Sequence, residues 1–261
     1  MEAANNGCSG VALITNAGTD LGASVAKHLI QAGCTRIVLA HGSIAPIKEI
    51  RDKLPSKITV ELMEYDPTSL ESIEKVIKST VSKFGHLKHC INILTLLQAP
   101  SKPTAEASVE DFKSGMTSSA RQIWLACKAE ITQLVSQHEA STGQPQSSAI
   151  VNVVPYGNIG IHSGHGLQAV NSYSCVGITK SLAWDHRKQG IRVNVVAPAA
   201  TDSKEDRGVA SVETLKQVNP LERLIEVDEV ASTVCFLVGD GGKGINGVVL
   251  PVDSGWNLVH G

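Results

Sequence analysis

Aromatic residues are scarce in this 261-residue chain, with three Trp, three Tyr and three Phe, so any aromatic side chain near a cleft is worth noting. A surplus of positive charge is also missing. The formal net charge is −2 and the pI is near 6.5, which argues against nucleic acid and anionic membrane surfaces as partners. No apolar run approaches the roughly 18 residues that a membrane helix needs. The opening MEAANNGCSG has no basic stretch ahead of an apolar one, so no secretory signal is visible and a cytoplasmic location is expected. The six cysteines, Cys8, Cys34, Cys90, Cys127, Cys175 and Cys235, are scattered and never form C-x-x-C, which reads as buried, reduced thiols. No repeat and no second-domain linker interrupts the chain, so one domain over 1–261 is expected.

What is present is a regular alternation of strand and helix. GVALIT (10–15) reads as a strand and Leu21–Gly33 as a helix. RIVLAHGS (36–43) is a second strand, a helix follows over 44–54, and KITVELMEYD (57–66) is a third strand. Thr68 with Glu71 three residues on suggests a capping box for the next helix. HCINILTLL (89–97) is a fourth strand. A helix from about Val109 to Gln137 follows, then a polar STGQPQSS loop and the strand AIVNVV (149–154). Gly166–Pro198 reads as a long helix, closed by Gly190, and a buried β-branched strand. A polar loop covers about Ala199–Val212. Such alternation implies an α/β fold, a doubly wound parallel sheet of about seven strands with helices on both faces.

The stretch GITKSLAWDHRKQGIRVNVVAP resembles the short-chain dehydrogenase/reductase family almost position by position, and the likeness extends over about residues 10–256. It implies a Rossmann-like fold. It also implies a homo-dimer or homo-tetramer, a small-molecule substrate and a nicotinamide cofactor. In that family the matched helix carries a catalytic Tyr-x-x-x-Lys. Counting back from Gly177 puts Gln168 in the tyrosine place and Ser172 in the lysine place. The family's serine falls at Pro155 and its asparagine at Ser119, so all four catalytic places are changed. Glutamine donates a hydrogen bond but transfers no proton near neutral pH, which argues against ordinary alcohol–carbonyl chemistry.

The nucleotide end is altered as well. The family's T-G-x-x-x-G-x-G is here Thr15-Asn16-Ala17-Gly18-Thr19-Asp20-Leu21-Gly22, and only Gly22 keeps its glycine. Asn16 tolerates the left-handed conformation, whereas the Asp20 carboxylate repels a pyrophosphate unless it simply caps the helix. His41, followed by Gly42 and Ser43, stands where an acidic residue would hold the ribose of NAD, so NADP(H) is the better expectation, with binding weak or absent. By resemblance the cofactor-side residues are Thr15, Asn16, Thr19, Leu21, Gly22, His41, Ser43, Asp66, Asn92 and Pro198. Pro67 has no N–H to offer the base.

Candidate chemistry-bearing groups are Arg121, Tyr156, His165, Gln168 and Ser172. His162 and His165 form H-x-x-H, but no third ligand is visible and no metal is expected. Trp124 and Trp184 read as core or subunit-contact residues, and Trp256 as a possible pocket wall. Loss of the tetrad, an arginine at 121 and the ending Asp253–Trp256 resemble family members from fungal alkaloid pathways. Those act on iminium or azadiene intermediates by C=N reduction, intramolecular [4+2] cyclisation or both. Two alternatives stand beside this reading. One is a non-catalytic subunit or regulatory partner. The other is an NADP-dependent reductase of another activated double bond with an unorthodox donor such as Tyr156 or His165.

Overall fold

The computed structural model describes residues 7–94, 102–141, 147–155, 164–207 and 219–260, with only the backbone described for 117, 118, 259 and 260. Seven strands form one parallel sheet in the order β3-β2-β1-β4-β5-β6-β7. The strands are β1 (Val11–Thr15), β2 (Arg36–His41), β3 (Thr59–Glu64), β4 (His89–Ile93), β5 (Ser148–Val153), β6 (Ile191–Pro198) and β7 (Val249–Val252). β1, β4, β5 and β6 are buried along their whole length, which is why they read as mainly apolar, β-branched runs in which Asn92, Asn152, Arg192 and Asn194 stand out. The chain winds outward from β1 to β3, then returns to place β4 on the other side of β1. The carboxyl ends of β1 and β4 therefore flank the crevice where doubly wound sheets bind ligands.

Helices cover both faces. α1 (Asp20–Gln31), α2 (Ile44–Asp52) and α8 (Val227–Val238) contribute Val25, Leu29, Ile47 and Val234 to one core layer. α3 (Leu70–Phe84), α5 (Ala120–Ala140) and α6 (Gly166–Asp185) contribute Ile73, Ile123 and Cys175 to the other. α4 (Val109–Ser118), the single turn α7 (Lys204–Arg207) and α9 (Trp256–His260) complete the helices needed here. All six cysteines are free and buried, and among the described residues no helix is long and apolar enough to cross a membrane.

Several local expectations are corrected. The third strand spans only Thr59–Glu64, and α1 begins one residue early, at Asp20. Ser69, not Thr68, caps α3, its hydroxyl accepting from Ser72 N at 3.2 Å, because Thr68 is held in the preceding turn by Asp66. The expected helix from Val109 to Gln137 is two helices that meet at Ser119, whose φ −127°, ψ −73° is not helical. Gly190 does not end α6. That helix stops at Asp185, and Gly190 (φ +72°) closes the 3-10 turn Arg187–Gln189 that follows. The buried side of α6 is Gln168, Asn171, Ser172, Cys175, Thr179 and Ala183. The apolar Val170, Tyr173 and Trp184 face outward.

Candidate functional site

The floor of the crevice is a polar network threaded through the sheet. Thr15 Oγ1 donates to Asn92 Oδ1 at 2.9 Å. Asn92 Nδ2 donates to Asn152 Oδ1 at 3.0 Å and to Glu130 Oε2 at 3.0 Å. Asn152 Nδ2 continues to Thr179 Oγ1 of α6 at 3.0 Å. The strand register dictates the sequence of links, with Thr15 level with Asn92 and Asn92 level with Asn152. Every member is buried. Burial pushes the Glu130 carboxyl up to about 7, with the Asn92 hydrogen bond opposing. The side chains of Thr15 and Asn92, both expected on the cofactor side, are engaged with each other and with Glu130 and Asn152 beneath the crevice.

Above that floor runs the turn between β1 and α1. Asn16 adopts φ +52° and fixes the turn to its neighbours. Its Nδ2 donates to Ile93 O at 2.9 Å, and its Oδ1 accepts from the Tyr65 hydroxyl at 3.1 Å. Thr19 is the N-cap, accepting from Gly22 N at 3.0 Å. Gly22 is required here, because a Cβ would lie 2.2 Å from the Ala17 carbonyl oxygen. Leu21 is buried in the core rather than open to a ligand. Asp20 is the first helical residue and not the cap. Its Oδ2 accepts from Lys204 N at 3.0 Å, its Oδ1 lies 3.5 Å from Lys204 Nζ, and its own N–H donates to Glu205 Oε1 at 3.3 Å.

His41 folds over the same turn. Its Nδ1 accepts from Gly18 N at 3.4 Å, and a Cβ at Gly18 would meet the ring at 2.7 Å. Desolvation lowers the His41 pKa, which keeps the ring neutral and its nitrogen an acceptor near pH 7. Ser43 sits at the N-cap of α2 without a capping hydrogen bond from its side chain. Asp66 is turned to its own loop, accepting from Thr68 N at 2.8 Å and Thr68 Oγ1 at 2.7 Å. These bonds hold its carboxyl below the usual range. Arg121, expected to point into the catalytic end, instead reaches the β3–α3 turn, where Nη1 donates to Thr68 O at 2.6 Å. The recess between Thr15, Tyr65, Pro67, Asn92 and Gln122 holds about 10 Å³, no more than one water.

At the other end of the crevice, Gln168 and Ser172 lie one turn apart at the start of α6, both buried. His165 occupies the N-cap position of α6. Asn171, between them, is buried, its Oδ1 has no hydrogen-bond partner among the described residues, and its Nδ2 lies where a Cβ on Gly115 would fall, at 2.7 Å. Ser119 is buried at the α4–α5 break, and Pro155 follows β5 half-buried. Pro198 ends β6, buried, beside Val252. Tyr156 and His162 lie outside the described residues. Trp256 is packed into the second core layer rather than along an open wall, because only 9% of it is exposed. Trp124 and Trp184 are surface residues at 47% and 67% exposure, so neither belongs to the core.

The resemblance implies a dinucleotide across this crevice, and the described residues do not fit one as they stand. Two carboxylates, Asp20 and Glu205, meet at the α1 terminus that would face a pyrophosphate. His41 covers Gly18, and the recess beside Tyr65 and Pro67 is nearly filled. Of the residues in this region, Glu130, Asn152, Asn171 and Glu205 were not foreseen. Asn152 had a signal, a polar residue inside an apolar strand, whereas Glu205 has none near it in sequence.

Comparison with known proteins agrees with the architecture. A family model described as enoyl-(acyl carrier protein) reductase matches residues 17–257. Levodione reductase of Leifsonia aquatica is 25% identical, covering 96% of this chain and 95% of its own length. A chloroplastic NADPH-dependent aldehyde reductase-like protein of Arabidopsis thaliana is 28% identical over 94% of this chain and 93% of its own. Among solved structures, 3-ketoacyl-(acyl-carrier-protein) reductase from Brucella melitensis, complexed with NADH, superimposes with a TM-score of 0.83 at 22% identity, covering 94% of this chain and 97% of that one. With a family match over nearly its whole length, on a seven-stranded parallel sheet wound about the β1–β4 crevice, the chain belongs to the short-chain dehydrogenase/reductase family of oxidoreductases.

Proposed function

We propose that this family member acts on a small molecule that is already electrophilic, an iminium or azadiene of alkaloid type, and guides its intramolecular [4+2] cyclisation. The observation that carries the reading is the pair Gln168 and Ser172, buried one turn apart on α6. Neither side chain exchanges a proton near pH 7, but both make hydrogen bonds, so the pair orients a substrate rather than ionising it. A [4+2] cycloaddition of an azadiene converts two π bonds into two σ bonds within one molecule and needs no proton, hydride or electron from outside. Holding the reacting ends in a near-attack conformer in a water-poor cleft is enough to accelerate it. The crowded α1 terminus favours this chemistry over hydride delivery. His165 and Tyr156 remain candidates for contact with the substrate. The outward-facing Val170, Tyr173 and Trp184 support assembly as a homo-dimer or homo-tetramer.

A second reading is favoured by family membership and by relatives named as reductases. It is NADP(H)-dependent reduction of the same C=N bond, NADP(H) rather than NAD because no acidic residue stands at His41. Incubation with an unsaturated azadiene precursor, with and without NADPH, separates the two. Cyclisation predicts a rate or stereochemical ratio that departs from buffer alone without NADPH, and Gln168→Ala should bring it back toward the buffer value. NADPH consumption matched to reduced product supports the second reading. A product ratio equal to that of buffer, with no NADPH consumed, refutes both.

A further inference from the structure

We propose that α7 is an intramolecular occupant of the pyrophosphate position, so that a dinucleotide binds only with the Lys204–Arg207 turn displaced. The amino end of a helix attracts anions because its first amides lack partners and carry the positive end of the dipole. In α1 two of those amides are already taken, Asp20 N donating to Glu205 Oε1 at 3.3 Å and Gly22 N to Thr19 Oγ1 at 3.0 Å. The carboxylate of Glu205 thus sits where a phosphate oxygen would, and the Asp20 carboxylate stands beside it. Lys204 closes the clasp from the other side, its N–H on Asp20 Oδ2 at 3.0 Å.

The turn is held in this position by the rest of the chain. Asp206 Oδ2 accepts from both Thr201 N and Thr201 Oγ1 at 2.6 Å, and Asp206 N donates to Ser203 Oγ at 3.1 Å. Asp202 fastens the segment to the start of α8, with its N–H on Ile225 O at 2.9 Å and its Oδ1 accepting from Val227 N at 3.0 Å. A phosphate entering here meets two like charges and must unseat a carboxylate already bound to the helix. This inference concerns the nucleotide end alone and holds whichever reaction the catalytic end performs.

The test is a calorimetric titration of NADPH, and separately of inorganic pyrophosphate, without substrate and at fixed ionic strength. Glu205→Gln keeps an acceptor in place and removes only the charge, and Asp20→Asn does the same on α1. Each should tighten binding of both probes by roughly tenfold or more, and the double variant further. Asp240→Asn, an exposed carboxylate outside the crevice, should leave affinity unchanged. Unchanged or weaker binding in both charge-neutral variants, with wild-type melting temperatures, overturns the proposal. So does an equal gain in Asp240→Asn.

Discussion

Asn92 presents its amide to the carboxylate of Glu130 at 3.0 Å, in the buried interior and with no ion pair to Glu130 among the described residues. Burial pushes that carboxyl up to about 7, against about 4.3 in an unfolded chain. A carboxyl whose folded pKa is raised gives its full stability below the unfolded value and loses it as pH rises through the folded value. The part of the stability that depends on Glu130 should therefore fall between pH 5 and pH 8, against an opposite contribution from His89, whose pKa burial lowers to about 4. Glu130→Gln, which keeps an acceptor for Asn92, should flatten that slope and stabilise the protein at pH 8 by on the order of 2 kcal/mol. Parallel profiles for the two proteins by scanning calorimetry would refute the assignment.

The β1–α1 turn makes opposite demands at its two ends. Gly22→Ala drives a Cβ to 2.2 Å from a backbone oxygen and should cost about 2 kcal/mol or more in urea unfolding. Asn16→Gly relieves a positive φ but loses hydrogen bonds to Ile93 O and Tyr65 Oη. It should still destabilise, by about 1 kcal/mol, since the lost bonds outweigh the relieved strain. A more stable Asn16→Gly protein would show that the turn is held by its conformation alone.

Arg192 enters the sheet as a buried cation with no carboxylate paired to it among the described residues. Its Nη1 donates to Leu237 O at 2.7 Å and Ile245 O at 3.2 Å, and its Nη2 to Val238 O at 3.3 Å. It closes the carboxyl end of α8, where the last carbonyls have no helical donor. Arg192→Met fills similar volume and strands those carbonyls, so a loss of about 2–4 kcal/mol is expected. Arg192→Lys should recover only part of it. Equal stability of the methionine variant and the parent would mean that the carbonyls find other donors.

Burial raises the pKa of all six thiols, that of Cys8 to about 11 and that of Cys175 to about 12. Reaction needs exposed thiolate, so the native protein should resist Ellman's reagent at pH 8 for minutes and release six equivalents after unfolding. Prompt release of even one equivalent from the folded protein would locate an opening that the packing does not provide.

The alternation of apolar strands and periodic helices made the sheet legible, because buried parallel strands leave long β-branched runs such as Ile191–Pro198. The changed residues at 168 and 172 could be placed by counting from Gly177. The contacts that shape the crevice were hidden for a physical reason. His41 meets Gly18 across 23 residues, and Glu205 meets Asp20 across 185, so neither leaves a local periodic trace. The break at Ser119 carries no glycine or proline, and its one trace is the hydroxyl run Thr117-Ser118-Ser119, a residue type that favours helix ends over interiors. Asn92, expected beside the cofactor, and Asn152, not singled out in the sequence, meet only because the register sets them side by side.

α1 packs against α8 from the far end of the chain, and Ser24 and Lys27 both bind Asp228. During synthesis, α1 emerges about 200 residues ahead of that partner. At about 5–20 residues per second, its apolar face waits on the order of ten seconds or more for α8. Through that interval the core layer around Val25 and Leu29 lacks Val230, Ala231 and Val234, beside a parallel sheet that has no hairpin with which to start. The tie between the two ends of the chain thus defines a window in which the growing chain needs shielding from its neighbours on the polysome.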